Sequence, residues 1–400
     1  MNIRMFALNS AVKAFETFSH VFFYLTALRH CGKPRPGFTL VGPITASGSL
    51  GKVMRDLATS LAAVGIPIQT WSTTLRKEKT LDLPTSTFTP WWRFSSRKYS
   101  HVLEMFDSNF PAEKLGLERL SIAFWEFTTG LVEARPCLSG KRHLVAMSDF
   151  NARVFRCLLP HCKVSKLLYP FQMQSDVPSP KVVRARLGIK PTDFVVFFNF
   201  DYGSSYCRKN PDAVLRAFAA AFPNDTSAKI VFKTMSATRF PRKAQSLADL
   251  ARSLHVEDRM ISVDSYLTQR DLYGLTAAAD VYVSLHRGEG FGLGVAEAMY
   301  LSKPVIVTDF SATTEFCNGQ TAFPIRYSTV TVPDRDEHAY LKHVKTCAEP
   351  NVEETADVLK RLRLDPDLRS QVGHAAHEFI CRHFALERFR DSARTLLNVK

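Results

Sequence analysis

The sequence predicts an α/β protein made of two doubly wound domains that face each other. Three observations lead there. Short apolar, β-branched runs alternate with stretches of helix formers, the pattern of parallel strands joined by crossover helices. Glycine-rich loops follow a strand at two places, once in each half of the chain. The 400 residues exceed one ordinary core, given roughly 100–200 residues per domain.

The first series opens at residues 38–73, which read as strand, glycine loop, helix and strand; the loop holds Gly48 and Gly51, and the helix ends near Gly65. Further strands are expected at 101–107, 121–127, 143–148 and 166–171. Residues 172–191 are polar and proline-marked and contain no strand, so they read as the connection between domains. A second series starts with the strand at 193–200, followed by a helix at 210–222 with Pro211 in its first turn, where its missing N–H costs nothing. Strands at 228–234, 260–266, 280–285 and 304–310 alternate with helices near 244–255 and 269–279. From about residue 351 the chain reads as helices only. The boundaries expected are an amphipathic helical segment at 1–36, a first Rossmann-like domain at 37–175, a linker at 176–192, a second such domain at 193–380 and a C-terminal helix at 381–400 packing back toward the first domain.

Hydrophobic residues make up 46% of the chain, enough for two well-built cores, and no window has the length and apolarity of a membrane-spanning helix. The eight cysteines are scattered without a C-x-x-C pair, which argues against a zinc site or a disulfide scaffold and fits a reducing cytosol. Charge is unevenly divided. Residues 1–190 hold 26 Lys and Arg against 12 Asp and Glu, whereas residues 191–400 hold 26 of each, so the whole net charge of +14 sits in the first half. That half is expected to face something anionic, either nucleic acid or a membrane surface, unless it is simply a basic surface with no partner. Residues 5–30 place Phe15, Phe18, Phe22 and Leu25 at helical spacing. They suit an interfacial helix lying on a bilayer or a helix packed on the domain, and they lack the small-residue cleavage site of a signal peptide.

The stretch 286–299, HRGEGFGLGVAEAM, lies between a buried strand and a helix, at the kind of corner where α/β folds bind ligands. Gly290, Gly292 and Gly294 let backbone approach a ligand without obstruction by a Cβ. A helix starting near Gly292 points its free N–H groups and positive dipole end at the loop, a setting for phosphate or pyrophosphate. Glu297, one turn inside, can accept two hydrogen bonds from a vicinal diol such as a ribose. Glu289, on the loop, reaches another part of the same ligand. Together they suit a sugar nucleotide. A glycine-rich turn alone is a weak signal, but G-x-G-x-x-G is absent here, against a nicotinamide or flavin dehydrogenase. Paired carboxylates also occur in glycoside hydrolases, which need no such phosphate cradle.

Residues 280–315, DVYVSLHRGEGFGLGVAEAMYLSKPVIVTDFSATTE, resemble the signature of the glycosyl transferases group 1 (family 4), with the E-x7-E pair complete as Glu289 and Glu297. The resemblance extends to FFNFDYGSSYCRKNPDAVLRAFAAAF, to VAMSDFNARVF and LLYPFQMQ, and to SIAFWEF, which is similar to a subgroup of bacterial polysaccharide and lipopolysaccharide assembly; the first 36 residues are not covered. It implies the GT-B fold, transfer with retention of configuration, and no metal or other cofactor. Glu297 is then expected on the donor ribose, and Glu289 on the transferred sugar beside the backbone of Gly290, Phe291, Gly292 and Gly294. Lys209 is expected on the leaving diphosphate, with Arg208 as its neighbour and alternative. His286 and Arg287 would line the same corner, Thr313 and Thr314 belong to the matching continuation, and Gly48 and Gly51 form the acceptor-domain glycine loop. The family's G-R pair after the first donor-domain strand is missing from FFNFDYG, which shifts the diphosphate onto Lys209 and Arg287. The family's first-domain histidine has no evident counterpart; MFDSNF and FWEFTTG occupy the candidate positions.

The implied partners are a nucleotide-diphosphate sugar, with GDP-mannose suggested by the subgroup, a lipid-linked or oligosaccharide acceptor, and an anionic membrane met by the basic half. The implied location is the cytoplasm or the inner face of the cytoplasmic membrane. Competing readings are a sugar-nucleotide epimerase or phosphorylase, an inactive scaffold of the same fold, and a basic nucleic-acid-binding protein. The last lacks any basic helix or aromatic-basic strand of a known reader.

Overall fold

The computed structural model describes residues 32–46, 48–73, 93–105, 110–171, 176–333 and 338–398, together with Phe22, Leu25 and Thr89. Its first half carries β1 (Arg35–Gly42), α1 (Ser49–Ala63), β2 (Ile68–Ser72), β3 (Tyr99–Met105), β4 (Glu118–Ile122), α2 (Leu131–Ala134), β5 (His143–Ala146), α3 (Asp149–Leu158) and β6 (Lys163–Lys166). These strands form one six-stranded parallel sheet in the order β2-β1-β3-β4-β5-β6.

The connection contains a short helix, α4 (Pro180–Arg186), started by Pro180 and by the Ser179 hydroxyl accepting from the Val182 backbone N–H. Arg184 anchors it to the second half, through the Ala278 carbonyl at 2.9 Å and the Asp280 carboxylate at 2.8 Å. There follow β7 (Phe194–Asp201), α5 (Tyr206–Lys209), α6 (Pro211–Ala221), β8 (Ala228–Met235), α7 (Pro241–Ser253), β9 (Met260–Asp264), α8 (Gln269–Ala278), β10 (Val281–Ser284), α9 (Leu293–Tyr300), β11 (Val305–Thr308) and β12 (Phe323–Ile325). The second sheet is again six-stranded and parallel, in the order β12-β11-β10-β7-β8-β9. The two sheets with their helices are the pair of facing doubly wound units that the strand–helix alternation predicts.

An antiparallel ribbon of β13 (Tyr327–Thr331) and β14 (Thr346–Pro350) was not legible in the sequence. Four of the five residues of β13 are exposed, so no buried apolar alternation marks it. Three helices close the chain: α10 (Val352–Leu364), α11 (Pro366–His383) and α12 (Leu386–Leu396). The chain returns to the first half there. Helix α12 packs on α1, and the Leu168 backbone N–H donates to the Ser392 hydroxyl at 3.3 Å.

Two expected strands shift. The strand read at 121–127 is β4, which ends at Ile122, because the Asn151 side chain takes both the N–H and the carbonyl of Trp125 and leaves them no ladder partner. The strand read at 166–171 is β6, which pairs with β5 from Lys163 and stops where β5 stops. Of the amphipathic stretch at 5–30 only Phe22 and Leu25 are described, with Phe22 against Trp71 at a ring distance of 4.9 Å and Leu25 exposed; Phe15, Phe18 and the rest of that stretch lie outside the described residues, and the end of the segment expected at 1–36 is already strand, since β1 starts at Arg35.

One apolar cluster runs through both halves, from Leu40, Met54 and Leu57 to Phe198, Val283 and Ala298. Tyr169 of the first half meets Phe291 of the second at 4.9 Å between ring centres. Hydrogen bonds cross the same boundary. The Ser148 hydroxyl and the Asn151 amide donate to the Gly290 carbonyl at 3.0 and 3.2 Å, and the Phe150 N–H donates to the Glu315 carboxylate at 2.9 Å.

Candidate active site

Between the two sheets lies a cleft of ≈ 830 Å³ lined from both halves. On the second half, the strand ends and the turns that follow them supply its groups: Asn199 and Asp201 of β7, Arg208 and Lys209 of α5, Lys233 of β8, Gln269 of α8, and the 289–297 corner. Opposite them stand Gly48, Gly51 and Lys52 at the start of α1, Glu126 after β4, and Tyr169 after β6.

Backbone geometry fixes the corner. Gly292 caps α9 at φ +88°, and a Cβ there would come within 2.4 Å of the Thr313 methyl, so only glycine fits. No side chain caps this helix, which leaves its first N–H groups directed at the cleft. In its first turn Gly294 sits under the Tyr282 hydroxyl and the Asn199 amide oxygen, 2.6 and 3.0 Å from where a Cβ would stand. Gly290 lies against Phe124 of the other half. At the facing loop, a Cβ on Gly51 would strike the Ala46 carbonyl at 2.0 Å, so the turn into α1 also requires glycine.

Glu289 is nine-tenths buried. Its Oε1 accepts from the Lys209 ammonium and lies 3.3 Å from Arg208 Nη1. Burial alone would raise this carboxyl, but the Lys209 ammonium and the Arg208 guanidinium outweigh it and hold the group at about 2. Arg208 is itself locked by the Gly288 carbonyl and the Ser204 carbonyl and hydroxyl, each at 3.0 Å, with Glu126 of the first half 3.9 Å away.

Glu297 has the opposite electrostatics. Burial pushes its carboxyl up to about 7; Lys52, with its Nζ 3.8 Å away, pulls it down, while Asp56 adds to the rise. Its Oε1 accepts from the Gln269 amide at 3.1 Å and the Tyr273 hydroxyl at 3.3 Å. Lys52 also pairs with Asp56, which in turn accepts from the Tyr169 hydroxyl. The first half thus reaches the second glutamate through one lysine.

The cleft therefore brings together Glu289, Glu297, Lys209, Arg208, Gly290, Phe291, Gly292, Gly294, Gly48 and Gly51. The other four candidates lie behind that lining. His286 is fully buried, with Nε2 3.2 Å from the Thr313 hydroxyl, and burial lowers it to about 4, so it is neutral at pH 7. The Thr313 and Thr314 hydroxyls bond back to the Phe310 and Ser311 carbonyls within their own turn. Arg287, expected on the diphosphate, instead forks onto the Glu349 carboxylate of β14 at 2.7 and 3.0 Å and donates to the Cys207 carbonyl at 2.6 Å. Reading the sequence missed Lys52, Glu126, Asn199, Lys233 and Gln269. A signal existed for two of them: Lys52 directly follows a required glycine, and Lys233 interrupts the apolar run of β8. Among the described residues, no group of three His, Cys, Asp or Glu side chains is placed to hold a metal ion.

Residues 202–349 match the family model described as Glycosyl transferases group 1. No curated protein matches the chain. Among solved structures, a sucrose-phosphate synthase from Thermosynechococcus elongatus superposes with a TM-score of 0.64 at 13% identity, over 91% of this chain and 98% of that one. HepE from Anabaena, in complex with UDP and glucose, gives 0.62 at 13% identity over 91% and 100%. A glycosyltransferase from Rickettsia africae gives 0.62 at 12% identity over 91% and 98%. At such identities the likeness establishes the fold, GT-B, with its two facing Rossmann-like domains. The match over residues 202–349 spans the Glu289–Glu297 corner, so the part of the chain that carries the cleft's second wall is similar to the glycosyl transferases group 1.

Proposed function

We propose that the cleft binds a nucleotide-diphosphate sugar and transfers its hexose, with retention of configuration, to a hydroxyl of a lipid-linked or growing saccharide in bacterial surface polysaccharide synthesis. One observation carries the reading: an ionised Glu289 paired with Lys209 and Arg208 in a cleft that also receives the uncapped N-terminus of α9. The anionic diphosphate suits that helix end and Lys209. The ribose diol suits Glu297, and the sugar suits Glu289 and the backbone of Phe291 and Gly292.

In the reaction, the bond between the anomeric carbon and the β-phosphate oxygen breaks and its electron pair goes to the phosphate. Lys209 and the α9 N–H groups stabilise the charge that develops there. The acceptor oxygen bonds the anomeric carbon from the side the phosphate is leaving, and its proton passes to the departing phosphate oxygen. No protein nucleophile is needed. Glu289 orients the sugar and offsets positive charge on its ring. Because these cations belong to the chain, the reaction is expected to survive chelation of divalent metals.

GDP-mannose is the first donor to try, and UDP-sugars the next, since UDP is bound by the Anabaena protein. The basic residues of the first half suit an anionic membrane or a pyrophosphate-bearing acceptor; no helix among the described residues is long and apolar enough to cross a membrane. The test is a screen of UDP-, GDP- and ADP-sugars with a bacterial lipid extract, following nucleotide release and the anomeric configuration of the product. Extract-dependent release with a retained anomer supports the proposal. An inverted anomer overturns the mechanism, and epimerised or phosphorolysed donor without transfer favours the epimerase or phosphorylase reading.

A further inference from the structure

Three cations in the cleft are at least nine-tenths buried: Lys52, Arg208 and Lys233. Lys52 faces Asp56 and Glu297, and Arg208 faces Glu289 and Glu126. Lys233 is only 5% exposed, and among the described residues its ammonium has no ion pair or hydrogen bond. Asp201 and Asp264 favour its charge from a distance but are otherwise engaged. Asp264 accepts from the Thr234 hydroxyl at 2.9 Å, and Asp201 from the Gly203 N–H at 2.9 Å. The stem is buried while the residue lines the cleft, so the partner its ammonium lacks within the protein can come from the cleft, and an anionic ligand there meets a charge that few protein groups offset.

Register locates that anion. Lys233 of β8 is paired with Asn199 of β7, and side chains of register partners in a sheet share one face. The Asn199 amide oxygen touches the first turn of α9 at Gly294 and accepts from the Tyr282 hydroxyl at 2.7 Å. Lys233 thus stands one strand over from the helix end, on the face that lines the cleft.

We infer that Lys233 is a phosphate-binding residue, whose ammonium meets the diphosphate of the bound nucleotide together with Lys209 and the N-terminus of α9. This rests on reading the cleft as a nucleotide-sugar site, and it gives the diphosphate a cation that Arg287, held by Glu349, does not supply. Burial lowers Lys233 to about 8, so in the empty cleft at pH 8.5 the lysine is largely neutral. An arriving diphosphate would draw a proton onto it.

The test is calorimetry on the full chain with UDP, GDP and ADP, then with the nucleoside of whichever binds, for the wild type, Lys233→Met and Lys233→Arg. Titrations at pH 8.5 in buffers of different ionisation enthalpy count protons taken up. The expected result is a loss of roughly 10–100-fold in diphosphate affinity for Lys233→Met, recovered within a few-fold by Lys233→Arg, with nucleoside affinity unchanged. Proton uptake is expected in the wild type and absent in Lys233→Met. Equal losses for nucleoside and diphosphate, or no loss, would overturn the assignment. If Lys233→Met does not fold, Lys233→Gln takes its place, with the same expected loss for the diphosphate and none for the nucleoside. A wild type that binds none of the three diphosphates fails one level up, at the nucleotide-sugar reading.

Discussion

Each half of the molecule buries a carboxylate between two cations, and the two are put to different use. Glu104 of β3 is fully buried; its Oε1 accepts from Lys141 at 2.8 Å, Ser121 at 2.7 Å and Arg119 at 3.2 Å. These three partners belong to the first sheet or its flanks, and none of the three lines the cleft. Glu289 has a similar pair in Lys209 and Arg208, but its cluster sits past a strand end and opens to the cleft. A closed ion cluster holds a sheet together, whereas an open one has charge available for a ligand. The composition is nearly the same, and the topology decides which it becomes.

Glu104→Gln should break the closed cluster at a cost of about 3–5 kcal/mol of unfolding free energy, read by denaturant titration, with turnover per folded molecule unchanged. A larger loss of turnover than of stability would place Glu104 in the working site and erase the contrast. Glu289→Gln should behave in the reverse way. Turnover should fall about 10²–10³-fold in initial-rate assays, while the unfolding free energy changes less than for Glu104→Gln. Near-normal turnover would remove Glu289 from the chemistry.

Gly292→Ala should follow, because φ +88° and the Thr313 methyl both oppose a Cβ; about 1–3 kcal/mol of stability and most donor affinity should be lost together. The two glutamates of the corner differ in their response to pH. Glu297 has a folded-state value of about 7, raised from 4.5, so below pH 4.5 it is neutral both folded and unfolded. Between those values the unfolded chain sheds the proton that the folded protein keeps, and stability falls as pH rises toward 7. Glu297→Gln removes that loss. Its melting temperature should match the wild type near pH 4 and exceed it at pH 8, while donor KM rises about 10-fold. The smallest effect is expected at the contact between halves. Ser148→Ala removes one hydrogen bond to Gly290 and should cost about 0.5–1.5 kcal/mol, with donor affinity unchanged.

What could be read from sequence was what is local. The 286–299 corner was visible because strand, glycines, helix and next strand follow one another without a gap, and both glutamates take their places from that run. Lys209 was reached by another route, through the family resemblance of the stretch that runs into the proline opening α6. Arg287 misled because its direction depends on Glu349, 62 residues away on a ribbon that polar, exposed residues conceal. Lys233 and Lys52 needed three-dimensional information of another kind. A lysine inside an apolar strand has a partner problem only once its face and depth are known, and Lys52 meets Glu297 only because the two sheets face each other. Trp125 shows the limit for strands: its alternating apolar pattern continues past Ile122, but an asparagine on α3 has taken its backbone groups.

On the proposed function, the open cluster and the uncapped end of α9 hold a nucleotide-diphosphate sugar. Titration calorimetry of the intact protein with UDP-, GDP- and ADP-sugars tests it most directly, before any acceptor is known. The account predicts saturable one-to-one binding of sugars carried by one nucleotide, weakened at least about 10-fold by Lys209→Met through the lost charge-assisted contact. Absence of binding by all three classes, or binding indifferent to Lys209, would contradict it.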